Sequence, residues 1–231
     1  MNMPLLEARA LSAGHGHMAV VRDLDLTVDA GEVVALIGPN GAGKTTTLMT
    51  LAGALEPMSG EIRFLGAPAT KSMHKRCRRG LGYVTEQRSV IRGLTTAENL
   101  RIARVDRAAA LEFFPELEPL LRRRAGLLSG GEQQMLTLAR ALGRGPKVLM
   151  ADELSLGLAP LIVQRLLSLL RETADARGLG VLLVEQHVRQ ALEIADRVYV
   201  MRRGRVALSG TADEIRNRLH EIETVYLSGI D

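Results

Sequence analysis

The sequence predicts an α/β fold, a mostly parallel sheet with helices on its faces and a largely helical insertion at about residues 86 to 145. Three observations carry this. Continuous apolar runs at Val33 to Ile37, Lys147 to Ala151 and Val181 to Val184 read as strands covered on both faces. Helical patterns at Leu161 to Thr173 and Val188 to Ala195 follow the second and third runs. A glycine-rich segment, Gly38 to Gly43, follows the first run directly and leads into a helix from Thr46.

The elements follow in order. Leu5 to Ala10 and Asp23 to Val28 alternate as half-buried strands do, with Gly14-His15-Gly16-His17 after the first and the turn Asp29-Ala30-Gly31 after the second. Glu61 to Leu65 is another alternating strand, entered after Pro57 and Gly60, and Leu81 to Val84 a short buried one. From Thr95 to Ala110 the pattern is helical, and Thr95-Thr96-Ala97-Glu98 resembles a helix start with a carboxylate in its first turn. Pro115 and Pro119 interrupt a second helical stretch, and Arg122-Arg123-Arg124 reads as a solvated face. Met135 to Leu142 is a helical run, and Arg197 to Met201 and Val206 to Leu208 are strands around Arg203-Gly204.

Composition narrows the function classes. At 231 residues with 46% apolar and 24% charged residues, the chain is one large folded domain rather than a disordered segment. Aromatic residues are 3% with no Trp, which disfavours a stacking platform for nucleic acid, and no nucleic-acid partner is expected. The net charge of +4 is compatible with an anionic membrane surface. The one cysteine, Cys77, excludes an internal disulfide and a multi-cysteine metal cluster and reads as a solvated thiol. No run reaches the length of a membrane span and Met1 to Ala10 lacks a signal pattern, so a cytoplasmic protein is expected.

Gly38-Pro39-Asn40-Gly41-Ala42-Gly43-Lys44-Thr45 fits G-x-x-x-x-G-K-[ST], a loop that wraps a nucleoside triphosphate. Glycines let successive N–H groups face phosphate oxygens, and the helix that begins at Thr46 adds its N-terminal dipole. Lys44 would sit between the β- and γ-phosphates, and Thr45 would offer its hydroxyl to Mg²⁺. Further on, Leu128-Ser129-Gly130-Gly131-Glu132-Gln133-Gln134 precedes a helix; Ser129 is a good N-cap and Glu132 lies three residues on.

Together these two segments resemble the phosphate loop and signature sequence of ATP-binding cassette (ABC) ATPases, over essentially the whole chain and in the family's order. The resemblance implies a P-loop NTPase core (1–85 and 146–231) with a small antiparallel β subdomain and a helical subdomain at about 86–145. It implies ATP and Mg²⁺ as cofactors. Ser129, Gly130, Gly131 and Glu132 would face the γ-phosphate held by an opposite subunit, and a helix N-terminus suits that task. Asp152, ending a strand, would hold Mg²⁺ through water, and Glu153 would orient and deprotonate the attacking water. His187 falls where the family places a histidine that contacts the γ-phosphate. Ser155-Leu156-Gly157-Leu158 falls at a dimer-contact loop, with Leu154 in place of the usual proline, a change that implies a looser turn. Glu86 and Gln87 compete for the loop position that touches Mg²⁺, and alignment from the preceding strand favours Glu86. His15, or second His17, falls where the family stacks an aromatic on adenine.

Glu153 to Pro160, Val184-Glu185-Gln186-His187, the stretch Leu111 to Leu117 and the tail Val225 to Gly229 resemble ATPase subunits of branched-chain amino-acid importers. That resemblance implies a second ABC ATPase, two membrane permeases and, indirectly, a periplasmic or surface solute-binding protein as partners, at the cytoplasmic face of the membrane. Urea-import ATPases, exporters and soluble ABC ATPases are the rival readings.

Overall fold

The computed structural model describes residues 3–227, so Ser228 and Gly229 of the tail lie outside the described residues. In chain order the elements are β1 (Leu6–His15), β2 (Met18–Val28), β3 (Val33–Ile37), α1 (Lys44–Ala52), β4 (Ser59–Phe64), β5 (Ala67–Pro68), α2 (Met73–Arg78) and β6 (Leu81–Val84). Then come α3 (Thr96–Ile102), α4 (Arg107–Phe113), two 3₁₀ turns (Pro115–Leu120 and Ala125–Leu127) and α5 (Gly130–Leu142). The rest is β7 (Val148–Asp152), α6 (Pro160–Arg177), β8 (Gly180–Glu185), α7 (Val188–Ile194), β9 (Arg197–Arg202), β10 (Arg205–Thr211), α8 (Ala212–Arg216) and α9 (Leu219–Leu227).

The strands form two sheets. The antiparallel one runs β2-β1-β4-β5, and the larger one runs β10-β9-β3-β8-β7-β6, parallel except for the edge strand β10. The expected α/β architecture with a small antiparallel sheet is therefore present. Alternate residues of β3 serve opposite layers. Val34 and Leu36 pack with α1 and the antiparallel sheet, whereas Ala35 and Ile37 pack beneath α7, α8 and α9. Among the described residues no helix is long and apolar enough to cross a membrane.

Several elements differ from the sequence reading. The hairpin strands run to His15 and from Met18 because β-bulges break their alternation, with Ala10 and Asp23 at φ +44° and +51°. The helix read over Thr95 to Ala110 is two helices. Arg104 turns left-handed at φ +55°, and the Asp106 carboxylate then caps α4 by accepting from the N–H groups of Ala108 (2.8 Å) and Ala109 (3.3 Å). Pro115 and Pro119 give a 3₁₀ segment. Cys77 is not a solvated thiol: it is half-buried against the apolar core, and burial pushes its pKa up.

Candidate functional site

Sheet register gathers the site. In parallel pairing Ile37 lies opposite Glu185 and Asp152 opposite Val184, while Val84 lies opposite Ala151. The residues that follow β3, β8, β7 and β6 therefore emerge along one edge, at the carboxyl ends of the strands, where open α/β sheets bind ligands.

The loop after β3 is built by close approach. At Gly38 an added Cβ would lie 2.4 Å from the Met201 carbonyl oxygen, and Gly43 combines φ +103° with the Val21 side chain 3.1 Å from such a carbon. Lys44 begins α1 only 5% exposed, and its ammonium donates to the Gly38 carbonyl at 2.8 Å and the Pro39 carbonyl at 3.2 Å. Burial lowers the Lys44 pKa, opposed by the charges of Glu153, Asp152 and Glu185. Three carboxylates thus converge on one buried cation.

Asp152 is 2% exposed, and its Oδ1 has no hydrogen-bond partner. Burial raises its carboxyl to about 6, against a hydrogen bond from Thr45; the charges of Glu153 and Glu86 raise it further. A buried, under-satisfied carboxylate oxygen beside a threonine hydroxyl fits a hard divalent cation. Among the described residues no cluster of three or more His, Cys, Asp or Glu could hold a metal alone, so such a cation would need phosphate oxygens to complete its shell. Of the two residues after β6, Glu86 acts electrostatically on Asp152; Gln87 is exposed, and its carbonyl accepts from the Thr85 hydroxyl at 2.6 Å.

Glu153 leaves the strand in a left-handed conformation, φ +49°, its N–H donating to the Val184 carbonyl at 2.9 Å. Such backbone costs roughly 1–3 kcal/mol in a non-glycine residue and clusters at functional sites. Its carboxylate Oε1 accepts from the Gln186 side-chain amide at 2.6 Å. The next turn is not loose despite lacking proline. Leu154 is buried in the core, and the Ser155 N–H and hydroxyl donate to the Glu185 carboxylate at 3.1 and 2.7 Å. Glu185 is 1% exposed, and burial raises its pKa against those two bonds.

The remaining candidates are placed as follows. Ser129 caps α5 in a full capping box: its hydroxyl accepts from the Glu132 N–H at 3.3 Å, and the Glu132 carboxylate accepts from the Ser129 N–H at 2.6 Å. The Glu132 carboxylate is thereby committed to the helix start, while the Ser129 hydroxyl stays exposed. Arg88 lies against Gly130 and donates to the Leu156 carbonyl at 3.4 Å, joining the signature segment to the loop after Glu153. His15 and His17 are exposed at the β1–β2 hairpin tip, and the same hairpin's Val20 and Val21 abut Gly43. His187 is exposed at the N-terminus of α7 and makes no side-chain cap bond. The side chain from this segment that reaches Glu153 is Gln186.

Residues 21–155 match the ABC transporter family. The chain belongs to that family. It is an ABC transporter ATPase subunit and binds ATP. Among its relatives, the high-affinity branched-chain amino acid transport ATP-binding protein BraG of Pseudomonas aeruginosa is 39% identical over 97% of this chain and all of its own length. The lipopolysaccharide export system ATP-binding protein LptB of Haemophilus influenzae is 34% identical over 97% of this chain and 98% of its own. A solved ATP-binding subunit of an ABC transporter superposes with a TM-score of 0.83 at 32% identity, covering 95% of this chain and 98% of that one.

Two site residues escaped the sequence reading. Gln186 carries no signal of its own in the sequence beside the more conspicuous His187, and only its bond to Glu153 marks it. Glu185 had a usable signal: a carboxylate closing a continuous apolar strand must find partners inside the core.

Proposed function

We propose that this ABC ATPase powers an importer of branched-chain amino acids, with hydrolysis centred on Glu153. The observation that carries the mechanism is the convergence of Lys44, Asp152 and Glu153 at one edge of the sheet. Lys44 neutralises the β- and γ-phosphates. Thr45 and Asp152 would hold Mg²⁺, with Glu86, whose charge acts on Asp152, as the further oxygen donor, and the cation would supply charge neutralisation at the transferred phosphoryl group. Glu153 accepts a proton from water as the water oxygen bonds to the γ-phosphorus and the bond to the ADP oxygen breaks. His187 stands one residue past Gln186 for a γ-phosphate contact, and His15 stands on the hairpin beside the loop for the base. Ser129 and Gly131, at an exposed helix start, serve the nucleotide of a second cassette, and the chain works as half of a dimer at the membrane's cytoplasmic face.

A cleft of about 590 Å³ between α2, β6 and α5 supports a membrane partner. Arg78, Arg79, Arg140, Arg144 and Lys147 line it, together with Tyr83 and Ser89. Ser89 belongs to the loop Glu86–Arg92, so a permease segment seated there can act on Glu86, whose charge acts on Asp152. The choice of solute rests on the relatives with branched-chain amino acid transport in their names. The LptB relatives favour a second reading, lipopolysaccharide export.

The test of the chemistry is Glu153→Gln, which should bind ATP normally and lose on the order of a hundredfold in turnover. Near-normal hydrolysis would remove Glu153 from the mechanism. The transport reading is tested by whether permease and solute-binding-protein genes adjoin this one, by co-purification with such permeases and by amino-acid binding to such a protein. A neighbouring lipid-export system in place of such a protein would move the assignment to export.

A further inference from the structure

We propose that the arginine-rich outer surface of the helical segment, built from α3, the turn into α4 and residues 122–124, is a docking face for an anionic phospholipid bilayer. The arginines carry the inference, and only the direction in which they face rests on the reading that a permease occupies the neighbouring cleft.

Three stretches that are separate in the sequence meet here. The Thr96 N–H donates to the Arg123 carbonyl at 2.9 Å and the Ala97 N–H to the Leu121 carbonyl at 3.0 Å, which lays residues 121–124 along the start of α3. The Asn99 side chain accepts from the Ile91 N–H at 2.8 Å and donates to the Ile91 carbonyl at 3.0 Å. The Gly126 N–H donates to the Arg92 carbonyl at 3.0 Å, so the loop after β6 joins the same surface. Arg101, Arg104 and Arg107 border a cleft of about 400 Å³ at the C-terminal end of α3. These three, Arg92 and Arg122 to Arg124 are all exposed.

Little within the chain neutralises them. Glu98 is engaged in the capping box of α3, with Arg101 4.0 Å away, and Glu118 pairs with Arg107 at 3.7 Å. The Asp106 carboxylate is taken by the backbone of α4, while Glu112 and Glu116 pair with Arg177 and Arg165 of α6. Among the described residues Arg92, Arg104 and Arg122 to Arg124 make no ion pair. Unpaired cations crowded on one surface repel each other and are stabilised by a polyanionic partner.

The surroundings favour lipid as that partner. The arginines come from three stretches rather than from one groove, which suits a two-dimensional array of phosphates better than a single strand. Neither residues 86–112 nor 120–127 contain an aromatic side chain, so a nucleic acid would find nothing to stack on. Instead Ile91, Ile102 and Leu127 stand 43, 55 and 64% exposed in the same stretches. Aliphatic side chains set beside arginines suit the headgroup region of an anionic bilayer. Position agrees with chemistry. Ile102 and Ala103 line the basic cleft, so Arg104 follows directly on the rim of the proposed permease seat.

Co-sedimentation of the full chain with lipid vesicles tests this. At low salt the chain should bind vesicles of equal parts phosphatidylglycerol and phosphatidylcholine, and bind pure phosphatidylcholine vesicles at least about tenfold more weakly. Replacing Arg122, Arg123 and Arg124 together by Gln should weaken binding about a hundredfold, roughly fivefold for each charge, with ATP hydrolysis within about twofold of the parent. Arg92→Gln combined with Arg104→Gln should weaken it about twentyfold, and gives the same answer should the triple variant fail to fold. Removing three charges elsewhere, at the exposed Lys71, Lys75 and Arg205, should cost less than about fivefold. The proposal is overturned if the parent does not bind the anionic vesicles, or if the Lys71, Lys75 and Arg205 set weakens binding as much as the arginine set. It is equally overturned if the arginine set still binds vesicles but no longer captures a permease from detergent extract, which would assign this face to a protein. Vesicle binding that follows the arginines while the parent captures no permease would sink the permease reading alone.

Discussion

At the scale of single residues, the site keeps charge where the fold resists it, and Asp152 shows the tension. Its folded pKa of about 6 lies above the ordinary 3.8, so the carboxylate destabilises the free protein once ionised. Stability from this group is complete below about pH 3.8, falls as pH rises to about 6 and is flat above. A rise of that size corresponds to an upper limit of roughly 3 kcal/mol, less what solvent in the cleft screens. Asp152→Asn should therefore be more stable than the parent in urea at pH 8 without divalent cations, and equal to it near pH 4. A variant less stable than the parent at pH 8 would show that the carboxylate is compensated within the free chain. Lys44→Ala acts elsewhere: it should abolish measurable ATP affinity in equilibrium binding, since the phosphates lose a cation in a poorly solvated place.

At the scale of elements, the helical segment after β6 offers a simple check. Asp106 caps α4 with two backbone N–H bonds, so Asp106→Ala should cost about 1 kcal/mol in chemical denaturation. No change would mean that α3 and α4 can run together as the unbroken periodicity suggested. That segment also shows what a sequence discloses. Buried parallel strands were legible because their apolar runs have no other use, and β6 has the bounds read for it, Leu81–Val84. The phosphate loop and the Asp152-Glu153 pair were legible because strand, loop and helix chemistry coincide there. The bulges of β1 and β2 were not, since a bulge erases the alternation that announces a strand. The helix α2 carries Lys75, Arg76 and Arg78 and no apolar stripe, yet the buried Arg76 guanidinium donates to the carbonyls of Thr50 (3.0 Å) and Thr70 (2.7 Å). Only tertiary contact reveals that role. Gln186 was hidden for a similar reason: its importance lies in a bond to a residue far along the chain.

At the scale of the whole molecule, one sheet edge carries the proposed nucleotide site and the basic cleft lies on another part of the surface. Arg144 and Lys147 are exposed on that cleft and lie outside the nucleotide site. Reversing both to Glu should weaken capture of the permeases from detergent extract, most clearly at low salt, while hydrolysis by the isolated chain stays within twofold of the parent. Undiminished capture would place the docking surface on another face.

The strand order has a further consequence, for the making of the molecule. Val33 of the central strand β3 pairs with Val181 on one side, and Val34 pairs with Arg197 on the other. Both neighbours of β3 are thus synthesised long after it. A nascent chain emerging from the ribosome displays the phosphate loop early but has no flanking strands to seat it. Contacts of such long sequence separation form slowly and leave apolar edges uncovered in the meantime. Nucleotide cannot rescue a half-made chain, because Asp152, Gln186 and the strands that aim them, β7 and β8, are made only in its second half. ATP binding is therefore a late event in the life of this polypeptide, and the ability to bind it is a mark that translation of the sheet is finished.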